Sequence, residues 1–216
     1  MVQPPLEEEN SKHHHGPKNR MKPIQRILWT LVMTVASFAA NAGDTLIIDD
    51  RSSGDLGSNL GSSWRMVSDN VMGGVSAGRL TPTQHAGRDC LRLQGEVSTR
   101  NNGGFLQMAL DLANGDAMNA SAFDAVEIEV AGNGERYNLH LRTTDLWLPW
   151  QSYRAEFTAT PEWQRLRIPF REIYPYRTGK PFRAERLKRI SLVAIGRDFQ
   201  ADVCVASLKL VKTEAD

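Results

Sequence analysis

Cysteine is scarce: Cys90 and Cys204 are the only two in 216 residues. That excludes a multi-disulfide scaffold and any paired-cysteine metal site. A nucleophile elbow, a phosphate loop, a dinucleotide fingerprint and a Ser-His-Asp setting are also missing, and with them the usual warrants for catalysis. Neither sign of charge is in excess, with 26 Lys and Arg against 25 Asp and Glu. This near-balance gives no electrostatic footprint for nucleic acid or an anionic membrane. Outside His13–His15 the only histidines are His85 and His140, without the fixed ligand spacing of a metal site, so ordinary structural or solvent roles are expected of both. No apolar run reaches the roughly 18 residues of a membrane span.

What is present begins with a leader. Lys22 and Arg26 precede the apolar run Ile27 to Ala36, and small residues follow up to Ala40-Asn41-Ala42. A basic region, a short apolar core and an A-x-A site describe a secretory signal peptide cleaved after Ala42. Glu7 to Glu9 and the histidine tract do not fit that pattern, so Met21 is the expected initiator and residues 1–20 annotation overhang. The expected division is 1–20 overhang, 21–42 signal peptide and 43–216 one domain, exported to the periplasm or secreted, with no stable membrane span after cleavage. Residues 1–42 together carry five basic and three acidic residues, leaving a mature charge of about −1.

The mature region reads as short strands separated by turn chemistry. Thr45 to Asp50, Cys90 to Ser98, Phe105 to Leu112, Ala125 to Ala131 and Tyr137 to Arg142 alternate or run apolar. Tyr153 to Thr158, Trp163 to Pro169, Ile190 to Ile195 and Val203 to Val211 complete the set, and only Arg183 to Lys188 hints at a short helix. Asn101-Asn102-Gly103-Gly104 ahead of an alternating run predicts a hairpin. Many strands without βα alternation make the expected fold all-β, an antiparallel β-sandwich. The alternation sets Cys90 on the outer face, beside Leu91 and Leu93, and Cys204 on the inner face with Ala206 and Leu208. An oxidising compartment permits a disulfide, but that phasing separates the thiols and argues against one.

One segment stands out: Ser68-Asp69-Asn70-Val71-Met72-Gly73-Gly74-Val75-Ser76, with Trp64 upstream. Asx residues start turns and adjacent glycines reach positive φ without steric cost. The expectation is an ordered loop with its apolar centre turned inward, Asp69 and Asn70 shaping it, and Met72 and Phe105 filling core nearby. For Gly73, Gly74, Gly103 and Gly104, bends between strands outweigh close approach by a partner.

Taken with Asn101-Asn102-Gly103-Gly104-Phe105, this segment resembles the complex I intermediate-associated protein 30 family. Gly132-Asn133-Gly134 with Tyr137, Leu139 and Arg142, then Tyr153, Phe157, Trp163 and Ile168-Pro169-Phe170, keep the same order over roughly residues 45 to 211. The family's Arg-Gly pair appears here as Arg177-Thr178-Gly179, one residue longer. The resemblance implies a galactose-binding-domain-like jelly roll, a fold shared with many carbohydrate-binding modules. It also implies kinship with assembly factors for respiratory complex I that are not enzymes.

Candidate chemistry is sparse. Asp49-Asp50, Asp69 and Asp145 supply carboxylates, but no dense oxygen-ligand loop suggests calcium; neither metal nor cofactor is expected. Trp147-Leu148-Pro149-Trp150 is the most suggestive surface element. Its tryptophans either present amphipathic contact area to a ligand or plug an end of the core. Arg142 and Tyr153 complete the candidate binding set. Arg142 either reaches ligand hydroxyls and carboxylates or closes a salt bridge to Glu129 or Asp145. The expected function is a non-catalytic module acting in protein binding or assembly at the cell envelope. The alternatives are a carbohydrate-binding module using Arg142, Trp147, Trp150 and Asp69, and after it a glycoside hydrolase.

Overall fold

The computed structural model describes residues 45–213; the leader, Met21 and the cleavage site lie outside them. Twelve strands run in chain order: β1 Thr45–Asp49, β2 Trp64–Ser68, β3 Ala77–His85, β4 Arg88–Val97, β5 Phe105–Asp111, β6 Ala125–Gly132, β7 Arg136–Thr143, β8 Ser152–Thr158, β9 Gln164–Pro169, β10 Tyr174–Tyr176, β11 Leu187–Ile195 and β12 Phe199–Val211. They form two antiparallel six-stranded sheets. The first has the order β3-β4-β12-β6-β9, with β1 also on β12; the second has the order β10-β8-β7-β11-β5-β2. β1 and β4 share one edge of β12, β1 pairing near Leu208 to Val211 and β4 near Phe199 to Val205.

Period-two alternation builds the core between the sheets. Leu106, Met108 and Leu110 of β5, Tyr137, Leu139 and Leu141 of β7, and Val126, Ile128 and Val130 of β6 are all fully buried. A one-residue slip in any of these strands would send its whole apolar set to solvent. At about 1.5–3 kcal/mol per large side chain, that penalty holds the register.

The all-β sandwich is as expected from the pattern, but three local expectations are corrected. Asn101–Gly104 is not a hairpin: β4 belongs to the first sheet and β5 to the second, so the turn carries the chain across the sandwich. The helix at 183–188 reduces to one 3-10 turn, Ala184–Arg186, before β11 begins at Leu187. Cys90 and Cys204 are bridged, their Cα atoms 5.5 Å apart.

The bridge follows from a β-bulge. The β12–β6 register shifts between Val205 and Ser207, which inserts Ala206 as an unpaired residue and reverses the alternation. Ala201, Val203 and Val205 face the core before it, as do Leu208 and Leu210 after it. Cys204 therefore points outward with Cys90, under Trp163. Counting period two backward from Leu208 put it on the wrong face.

Candidate functional site

The signature segment is organised around a buried carboxylate. Asp69 is fully buried at the start of the 3-10 turn Asp69–Met72. It accepts from the Ser76 amide at 3.0 Å, the Ser76 hydroxyl at 2.5 Å, the Gly104 amide at 2.5 Å and the Phe105 amide at 3.2 Å. Burial works to raise its pKa, but these donors outweigh it and hold the carboxyl below its ordinary value. The loops it joins, β2 to β3 and β4 to β5, both cross between the sheets. A β-carbon on Gly74 or Gly103 would collide with this carboxylate, so close approach, more than turning, demands glycine there. Asn101 and Asn102 make the second crossing with φ of 57° and 58°, which asparagine tolerates. Trp64 is buried below, its indole donating to Asp49 at 2.6 Å.

With the carboxylate inside, the apolar centre turns outward, the reverse of the expectation. Val71 is 74% exposed and Met72 59%. Neither Met72 nor Phe105 fills the core; together with Val71 they line a hollow of about 600 Å³ on the outer face of the second sheet.

Its floor comes from the outward positions of β5, β7, β8 and β11. Ser191 lies opposite His140, and Arg189 opposite Arg142. His140 in turn lies opposite Arg154 on β8. Gln107 of β5 donates to the Ser191 hydroxyl at 3.2 Å. The rim carries Met72 and Val71 from the β2 side, Tyr176 and Arg177 from the β10 side, and Trp150 from the β7–β8 loop. His140 is buried, and its Nε2 has no hydrogen-bond partner. Burial first, then the charges of Arg154 and Arg142, push its pKa down to about 3, so the imidazole is neutral. Burial, and then the Arg189 charge, lower Arg142; burial likewise lowers Arg154.

Arg142 closes no salt bridge to Glu129 or Asp145. It donates to the carbonyls of Pro149 at 2.6 Å, Gln151 at 2.9 Å and Leu146 at 3.3 Å, and so shapes the Trp147–Trp150 loop. Neither tryptophan plugs the core. Trp150, 48% exposed, lines the hollow, whereas Trp147, 88% exposed, borders a separate depression with Asp145, Gln151 and Lys180.

Tyr153 is corrected outright. It is fully buried, with its hydroxyl on the Pro181 carbonyl at 2.9 Å and its ring against Phe182. The polar face of β8 belongs to Ser152 and Arg154. Sequence reasoning missed Arg154, Tyr176, Arg177 and Arg189, and assigned His140 an ordinary role. The available signal was the alternation itself: Asn138, His140 and Arg142, with Ser152 and Arg154, hold the outward positions of neighbouring strands. Among the described residues no group of three His, Cys, Asp or Glu side chains is placed to hold a metal ion, and no helix is long and apolar enough to cross a membrane.

These features define a jelly-roll sandwich with a ligand-sized hollow on one outer face. The chain belongs to the complex I intermediate-associated protein 30 (CIA30) family, whose model matches residues 56–203. No curated protein matches it. Among solved structures it is similar to the family 11 carbohydrate-binding module of the cellulosomal cellulase Lic26A-Cel5E of Clostridium thermocellum. The identity is 12%, with 78% of this chain and 95% of that one covered and a TM-score of 0.61. A family 11 carbohydrate-binding module from Clostridium thermocellum in complex with a β-1,3-1,4-mixed-linked tetrasaccharide matches at 13% identity, 79% and 96% coverage and a TM-score of 0.60. A family 30 carbohydrate-binding module matches at 15% identity, 80% and 90% coverage and a TM-score of 0.53. At such identities the likeness is one of fold.

Proposed function

We propose that this protein is an exported, non-catalytic binding module whose hollow on the second sheet receives a glycan. The observation that carries this reading is the hollow's make-up. A floor of polar side chains, among them Gln107, His140, Ser152 and Ser191, lies beside the aromatic side chains of Trp150, Tyr176 and Phe105. Sugars are recognised by that combination of stacking surface and directed polar groups. The relatives of like fold lend support, one of them being described with a bound tetrasaccharide.

A catalytic reading has less to stand on. Glycoside hydrolysis needs two carboxylates about 5 to 9 Å apart across the substrate, and the hollow is lined by no Asp or Glu among the described residues. A second reading, assembly through a protein partner at the cell envelope, is favoured by the exposed apolar group Val71, Met72, Val75, Trp147 and Leu148 and by the family's description. A glycan array with the purified protein separates the two. Saturable binding lost in Trp150→Ala is the expected result. A silent array, with one reproducible protein captured from envelope extracts, would reverse the order of the readings.

A further inference from the structure

Four guanidinium groups meet at the hollow: Arg142 from β7, Arg154 from β8, Arg177 just after β10 and Arg189 from β11. Arg189 is paired with Asp111, which also takes Arg65 at 2.8 Å. The other three have no carboxylate within salt-bridge distance among the described residues, although the chain as a whole is nearly neutral. Elsewhere the arginines are mostly neutralised: Arg92 by Asp202, Arg88 by Glu129, Arg167 by Glu127, Arg183 by Asp145 and Arg197 by Glu135. Gathering like charges in a partly desolvated hollow is costly without a counter-charge.

Arg154 is also pre-set for a planar anion. Its guanidinium lies over the Tyr176 ring at 3.4 Å from the centroid, with Arg177 at 5.4 Å. Its Nε donates to the Ser152 hydroxyl at 2.9 Å, which orients the plane, and the two terminal nitrogens have no carboxylate partner among the described residues. A guanidinium held flat with its outer edge open matches a two-oxygen anion through paired hydrogen bonds. The anion must be attached to something that uses the rest of the hollow. Trp150 offers a stacking face, and neutral His140 beside Ser191 suits hydroxyl groups.

We propose that the hollow selects an acidic glycan, whose anionic group sits against Arg154 and Arg177 while the sugar ring lies toward Trp150 and His140. This rests on the glycan-binding reading above and narrows it to a charge class. The anion's two chemical sources, a uronate carboxylate and a sulfate ester, share these contacts.

The test is calorimetric titration of the full-length protein at about 150 mM salt, where long-range attraction is screened beyond roughly 8 Å. The probes are oligogalacturonides, their methyl esters, sulfated galactan oligosaccharides, a neutral mixed-linkage glucan oligosaccharide and a poly-glutamate peptide. The expected result is saturable binding of the galacturonide, weakened at least about tenfold by esterification. Arg154→Gln should weaken the acid by a similar factor and the ester by much less. Arg177→Gln, at an exposed position, repeats that test should the first variant fold poorly. Binding of the sulfated probe with the uronate inert supports the proposal and assigns the anion to sulfate. Equal affinity for acid, ester and neutral glucan overturns the charge selection while glycan binding stands. Silence of every glycan, or preference for poly-glutamate, overturns both.

Discussion

On the outer face of the first sheet, Arg92 grips Asp202 through two bonds of 2.7 Å, and Arg165, Arg167 and Lys209 surround Glu127. On the outer face of the second, Arg142, Arg154 and Arg177 line a hollow that holds no carboxylate among the described residues. The first face settles its charges within itself and is further tied by the Cys90–Cys204 bridge. The second leaves charge and a buried imidazole nitrogen waiting. Structure that is complete in itself is read most simply as serving stability. Polar groups left unsatisfied at a cost are what the proposed glycan site rests on.

The largest test of this contrast breaks the covalent tie. The bridge closes a loop with a sequence separation of 114. Replacing both cysteines by alanine should therefore cost about 4 kcal/mol, chiefly by releasing the unfolded chain. Denaturant melts under oxidising conditions check this, and an unchanged midpoint would remove the bridge from the first face's support.

Next is a difference in acid sensitivity. His140 has a folded pKa of about 3, below its unfolded value near 6.5, so the unfolded state binds the proton first. Its contribution is complete above about pH 6.5 and drains as pH falls toward about 3, at on the order of 1 kcal/mol per unit. Asp202 is raised by burial but lowered further by Arg92 and Gln94, for a net downward shift. Its contribution is lost only as pH falls below about 3.9. Stability measured between pH 6 and pH 4 should slope in the native chain and flatten in His140→Gln. An unaltered slope in that variant would place the acid response outside the hollow.

Smaller effects have opposite meanings on the two faces. Asp202→Asn leaves Arg92 without its partner and should cost about 1 kcal/mol in a thermal melt. Arg154→Gln, removing a charge that has no carboxylate among the described residues, should leave stability unchanged or raise it slightly. A loss at Arg154 as large as that at Asp202 would mean the hollow's charges are structural after all.

The sandwich was legible because burial enforces period two, and nine strands announce it directly. Three did not. β2 and β3 flank the signature segment and carry mixed faces, with Trp64 and Ser68 the buried residues of β2, while β10 is three residues long with a central proline. Tyr153 was misassigned because a tyrosine beside a polar loop reads as surface, when its strand phase points it inward. Cys204 was misplaced because a bulge is invisible to counting.

By itself the sequence determined the all-β class, most strand positions and the family, since local alternation and turn chemistry act over a few residues and leave their mark in order. Only the tertiary structure decided that Asp69 is swallowed between two crossings, which pushes Val71 and Met72 outward, and that arginines from residues 142 to 189 converge. Hydrogen bonds and charge add up across space. Residues brought together by pairing distant strands cannot be recognised as neighbours until the sheets close.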